Sequence, residues 1–255
     1  MILGMSHIIT HAPHLYLLEA QVEEFDVRGV IILAEETALV WDTLSHPRDL
    51  RPALPLLGDR RVTVIYSHAD WDHIWGTSAL SAGEVIAHQA CQQRFSSDVP
   101  RYLREKEQGE PGIWDDVLLV PPTITFDSQM NVRVGDMTVE LHHLPGHTVD
   151  CCVGFIPELG VLLAGDVVET PLPVINDDSP IAVWLAQLER WAHDERVVTV
   201  IPSHGPIGDR SLIQRNIDYI RGLSDGSASS LLPTGLSDFY ARTHQQNQRI
   251  VQRAV

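Results

Sequence analysis

The run Val62-Thr63-Val64-Ile65-Tyr66 is β-branched, bounded by charge, and passes without a break into Ser67-His68-Ala69-Asp70-Trp71-Asp72-His73. A run of this kind predicts a buried strand, so the chain carries four ionisable side chains to one strand end. Three later groups repeat the arrangement. Leu144-Pro145-Gly146-His147-Thr148 follows a predicted hairpin, Gly165-Asp166 stands 19 positions after His147, and Pro202-Ser203-His204-Gly205 follows the apolar Val197 to Ile201. Each group lies just past a predicted strand, where loops at one edge of a sheet assembly can bring distant residues together. Imidazole and carboxylate donors suit zinc, iron or manganese, and a catalytic site keeps one coordination position open for water.

The rest of the chain alternates strands with helices. Val30 to Leu33 and Ala38 to Trp41, split by Glu35-Glu36, predict a hairpin. Leu50 to Leu57 predicts a short helix interrupted by proline, and Val85 to Ala87 a strand followed by a helix over about 89–108. Val132 to Leu141 reads as a hairpin turning at Gly135-Asp136, and Cys151 to Ile156 with Val161 to Ala164 as a second one. Ser179-Pro180 predicts a helix start, with Ser179 as the cap and Ile181, Trp184, Leu185, Leu188 and Trp191 on one face. Two last helices are expected over about 209–221 and 237–252, separated by Gly226 to Ser230. No short repeat and no long linker interrupts this, so one domain over 1–255 is expected, of two packed sheets covered by helices.

Composition narrows the possible partners. The formal net charge is -16, and Lys106 is the sole lysine among 18 basic residues. A polyanion would be repelled unless a local basic stripe intervened, and Arg101, Arg104 and Lys106 are too few to form one. Nucleic acid is therefore excluded as the expected partner, and a small molecule is favoured. No segment approaches the roughly 18 uninterrupted apolar residues of a membrane span. Met1 to Thr10 has no positive region ahead of an apolar run, so no signal peptide is read there. Cys91, Cys151 and Cys152 do not form a disulfide framework. A cytoplasmic protein is expected, with a homodimer open.

Together, these four ordered motifs resemble those of the metallo-β-lactamase superfamily, over roughly residues 25–222. The resemblance implies an α+β fold, a four-layer αββα sandwich, and two divalent metal ions, zinc in most of the superfamily. By motif position, the first metal takes His68, Asp70 and His147. The second takes Asp72, His73 and His204, and Asp166 bridges the two. The usual motif has histidine where Asp70 stands, which makes the first site harder and more anionic and moves its preference toward iron or manganese. A further reading leaves Asp70 outside the coordination sphere and the first site weak or empty.

The resemblance implies a hydrolase of a small ester, thioester, lactone or related substrate, attacked by hydroxide that two cations generate by lowering the pKa of water from about 16 toward ~7. Asp72 is the expected catalytic residue, ligating metal and orienting the nucleophile. Two other classes stay open: iron redox chemistry, as in flavodiiron proteins or sulfur dioxygenases, and a metal-binding module without catalysis. Outside the motifs, Thr148 and Asp150 are candidates for orienting His147. Arg101, Tyr102, Arg104, Trp114 and the loop from Thr170 to Asp178 are candidates for shaping the substrate site. His142 and His143 alternate on a strand beside the motif, and His244 and Asn247 share a face of the last helix. His7, His11, His14, His88 and His193 are expected to be structural, and Trp71 and Trp75 to pack.

Overall fold

The computed structural model describes residues 6–22 and 24–254. The first five residues of the segment read above as lacking a leader lie outside them. The chain divides into two compact units between Val139 and Glu140.

In the first unit, β1 (His7–Ala12), β2 (Leu15–Val22), β3 (Phe25–Leu33) and β4 (Thr37–Trp41) run as an antiparallel series. The predicted hairpin is β3–β4, with Val30 opposite Trp41 and Leu33 opposite Ala38. The sheet then becomes parallel through β5 (Arg61–Ile65), β6 (Ala82–His88) and β7 (Ile124–Phe126). Parallel strands are covered on both faces, which is why β4 and β5 read as nearly continuous apolar runs. Val40, Val64, Ile31 and Leu18 are fully buried there, each contributing about 1.5–3 kcal/mol relative to exposure. Strand β1 carries His7 and His11 beside short apolar pairs, and His14 stands in the turn before β2, which hides the strand pattern in the sequence.

The predicted proline-interrupted helix is a 3-10 turn over Pro47–Ala53 running into α1 (Leu54–Leu57). The motif itself holds the one-turn α2 (Trp71–Ile74). One expected helix is instead two, α3 (Gln89–Arg94) and α4 (Asp98–Gly109). Pro100 has no N–H to offer a continuous helix, so the chain breaks and restarts with Pro100 in the first turn of α4.

A second sheet orders its strands β12-β11-β10-β9-β8. It contains β8 (Gln129–Val134) and β9 (Met137–His143), joined at Gly135 with φ +59, then β10 (Cys152–Ile156), β11 (Val161–Gly165) and β12 (Thr199–Pro202). Strands β11 and β12 are parallel, with Leu163 beside Ile201, so both end at the same edge. The core of the second unit packs Val153, Phe155, Leu162 and Val200 with Trp184 and Leu188 of α5 (Ile181–His193) and Ile213, Ile217 and Ile220 of α6 (Ser211–Asp225). Gly226 ends α6 in the left-handed conformation, and α7 (Asp238–Ala254) follows.

The cap of α5 departs from expectation. Pro180 holds the cap position and no side chain caps the helix. The Ser179 hydroxyl accepts from Asn176 N and donates to the His147 carbonyl instead, both at 2.9 Å. Ser179 serves the site loop rather than the helix.

Candidate metal centre

The first unit brings together His68, Asp70, Asp72 and His73 at the ends of parallel strands. His68 Nε2 lies 3.6 Å from Asp70 Oδ2, and His73 Nε2 lies 3.7 Å from Asp72 Oδ2. The two imidazole rings are 4.1 Å apart, and both are fully buried.

Asp42, at the end of β4, organises this half. It is fully buried with φ +57, and it accepts from Ser67 N at 2.7 Å and from Ser67 Oγ at 2.7 Å. His73 Nδ1 stands 2.9 Å from Oδ2, the oxygen that also accepts from Ser67 Oγ. Because the Ser67 hydroxyl spends its proton on Asp42, it accepts from His68 Nδ1, 2.9 Å away. Both histidines therefore carry the proton on Nδ1, which leaves the Nε2 lone pairs beside the carboxylates. Metal-binding histidines need this tautomer and this kind of outer partner. Thr43, next in the chain, fixes the backbone: its N–H donates to the His73 carbonyl at 2.7 Å.

The second unit brings together His147, Asp166 and His204. Asp166 Oδ2 lies 3.9 Å from His147 Nε2 and 3.3 Å from His204 Nε2, a carboxylate between two imidazoles. Asp166 follows β11 and His204 follows β12, so the parallel pairing of those strands sets their spacing. His147 Nδ1 donates to the Val174 carbonyl at 2.9 Å, so it too offers Nε2. Gly146 is required before it, since a Cβ there would stand 2.7 Å from the Trp184 ring.

The loop that supplies Val174 is held from several sides. Asn247 accepts from Ile175 N at 3.0 Å and donates to the Pro173 carbonyl at 2.7 Å, gripping the residues on both sides of Val174. Glu169 accepts from Val174 N at 3.3 Å and from the Tyr240 hydroxyl at 2.9 Å, and its backbone exchanges two hydrogen bonds with Asn216. Burial pushes the Glu169 carboxyl up to about 7, against the pull of His204 nearby. Asn247 also meets the Tyr219 hydroxyl, which pairs with His244 Nδ1 at 2.9 Å. The shared face of His244 and Asn247 thus supports the loop carrying Val174.

Other expectations resolve as follows. Thr148 Oγ1 lies against Cys151 Sγ at 3.1 Å, and the orienting bond to His147 comes from Val174. His142 packs edge-on to Trp191, and His143 Nε2 meets the Val149 carbonyl. Trp114, proposed above as substrate-shaping, is fully buried in a cluster with Trp71 and Trp75, their centroids 5.3–5.7 Å apart, and Lys106 lies 4.5 Å over Trp71. It is a packing residue. Asp42, Glu169, Asn216 and Arg94 carry no motif signal; the one available clue to Asp42 is its place directly after an apolar strand.

A sequence profile for the metallo-β-lactamase superfamily matches residues 24–204. The chain belongs to this superfamily. Within it, a "Metallo-beta-lactamase type 2" of Bacillus cereus is 27% identical over 168 residues, 64% of this chain and 59% of that relative. The match thus spans less than two thirds of that relative's length. Among solved structures, a metallo-β-lactamase from Pontibacter korlensis superposes with TM-score 0.68 at 18% identity, over 82% of this chain and 96% of that one. FIM-1 from Pseudomonas aeruginosa, in a mono-zinc form, gives TM-score 0.65 at 19% identity, over 82% and 92%. At these identities the likeness is one of fold, and the αββα sandwich class implied by the motifs is the class the superfamily fold provides. The donors in each unit are a metal-binding set in kind: imidazole nitrogens in the ligating tautomer beside carboxylate oxygens.

Proposed function

We propose that the chain is a metal-dependent hydrolase of a small ester, thioester, lactone or related substrate. In this reading His68, Asp70 and His147 hold one divalent cation, Asp72, His73 and His204 hold a second, and Asp166 is shared. The observation that carries it is the common tautomer of His68, His73 and His147. Three rings fixed by three different acceptors, each leaving Nε2 beside a carboxylate, fit a cation. Divalent cations held this way supply Lewis acidity and lower the pKa of a shared water toward ~7.

The chain's own residues divide the remaining work. Asp72 would help hold a cation and, as a carboxylate acceptor, would orient the attacking water. Asp166 brings negative charge between the imidazoles of His147 and His204. The -16 net charge and single lysine favour a small-molecule partner over nucleic acid. Three buried cysteines that form no disulfide favour the cytoplasm, and no helix among the described residues is long and apolar enough to cross a membrane.

The test is a panel of esters, thioesters and lactones assayed with metal-loaded protein. Turnover of at least one class is expected, with His147→Ala and Asp166→Asn each losing more than about 100-fold. Metal-loaded protein that cleaves none of them overturns the hydrolase reading. The carboxylate at position 70 favours a second reading, iron-dependent redox chemistry at the same residues; activity with zinc as the sole metal excludes it.

A further inference from the structure

Asp70 does not stand alone beside His68. Its Oδ1 accepts from Arg94 Nη2 at 2.7 Å while its Oδ2 faces His68 Nε2 at 3.6 Å. Arg94, the last residue of α3, is held in turn by Asp98 at the start of α4: its Nε and Nη2 donate to Asp98 Oδ2 at 3.0 and 2.8 Å. The two are four positions apart, a spacing at which an arginine and an aspartate readily pair. Both partners of the Asp70–Arg94 pair are largely shielded, with side chains 25% and 19% exposed. A planar guanidinium held at two points is a rigid partner, and the shielding raises its worth above that of a surface ion pair.

We propose that Arg94 is a positioning residue for Asp70: it occupies one carboxylate oxygen, presents the other to a cation beside His68, and offsets the negative charge that aspartate brings. The inference rests on the metal-centre reading above and deepens it. With Oδ1 taken, Asp70 ligates through one oxygen. The guanidinium, which Asp70 shares with the more exposed Asp98, offsets part of the charge that Asp70 brings. The carboxylate at position 70 therefore does not by itself make this site strongly anionic, and zinc remains a suitable occupant.

The sign of the effect separates this role from a merely structural one. While Asp70 is present, removing Arg94 loses the held geometry, so affinity for the cation falls. With a neutral nitrogen donor at position 70, Arg94 no longer positions a ligand and its charge repels the cation, so removing it raises affinity. The experiment measures zinc affinity and stoichiometry by competition with a chromophoric chelator, on the full chain. The proteins are wild type, Arg94→Gln, Arg94→Lys, Asp70→His and Asp70→His/Arg94→Gln, each checked for folding by circular dichroism.

Arg94→Gln is expected to weaken one zinc site about tenfold or more, and Arg94→Lys less, since it keeps the charge and loses the fork. In the Asp70→His background the same Arg94→Gln change is expected to strengthen it. Equal zinc affinity in wild type and Arg94→Gln, or a loss of the same size in both backgrounds, overturns the proposal for Arg94 alone. Wild-type protein that takes up no zinc overturns the metal-centre reading, and this inference with it. If Arg94→Gln fails to fold, Arg94→Leu, alone and with Asp70→His, removes the same charge and decides the outcome by the same change of sign.

Discussion

Asp42 accepts three hydrogen bonds while fully buried, and two histidine tautomers depend on it. In Asp42→Asn an amide NH2 replaces one acceptor and faces a donor. Metal affinity is expected to fall about 10–100-fold, and stability by about 1–3 kcal/mol. Chelator competition and urea unfolding measure the two; unchanged affinity would show that the tautomers are fixed without it. Gly76 tests the neighbouring backbone. A Cβ there would stand 1.8 Å from the Thr43 carbonyl, the residue whose N–H holds His73. Gly76→Ala is expected to destabilise by at least about 1–3 kcal/mol in the same unfolding experiment. The seven proposed ligands were legible because histidine and aspartate recur after apolar runs in a set order. Asp42 was not, since one aspartate after a strand reads the same whether it caps a turn or orients two imidazoles. Arg94 was hidden for another reason: its partner Asp70 lies 24 positions away, and ion pairs leave no periodic trace.

At the scale of elements, most of the strands were readable, since buried parallel strands are continuous apolar runs and hairpins announce their turns. Strand β1 was missed because His7 and His11 interrupt its apolar pattern, and the split of α3 from α4 because Pro100 was not weighed as a breaker. Helix α7 was legible as a helix but not as a support. Its Asn247 bridges Ile175, Pro173 and Tyr219 from more than 25 positions away, in contacts that no local pattern encodes. Asn247→Leu strands these partners and is expected to cost about 2–4 kcal/mol, with Asn247→Asp intermediate because it keeps the acceptor for Ile175. Thermal or urea unfolding of the two variants checks the order. The 3-10 turn before α1 carries a pH signature. Burial raises the Asp49 carboxyl from 3.8 to about 6. The folded state therefore binds the proton more tightly, and the stability this group confers below about pH 4 is lost as the pH rises through 6. Asp49→Asn is expected to be more stable than wild type at pH 8, by up to about 3 kcal/mol, with the gain gone at pH 4. Equal unfolding midpoints at pH 8 would contradict this.

For the whole molecule, composition was the readable part: a strongly acidic chain with one lysine selects against polyanions, and its three cysteines form no disulfide. What composition cannot encode is substrate identity, which depends on loop shape and not on any residue pattern. A chain whose function rests on bound cations should gain stability from them, about 2.7 kcal/mol at a free ion concentration 100 times the dissociation constant. Chelator treatment is expected to lower the melting temperature and zinc to restore it. The most direct test counts the ions. Protein purified without added metal, reconstituted with zinc and freed of excess by gel filtration, should hold two equivalents per chain by elemental analysis, and His147→Ala or His204→Ala fewer. Wild-type protein that retains no zinc would contradict the metal centre.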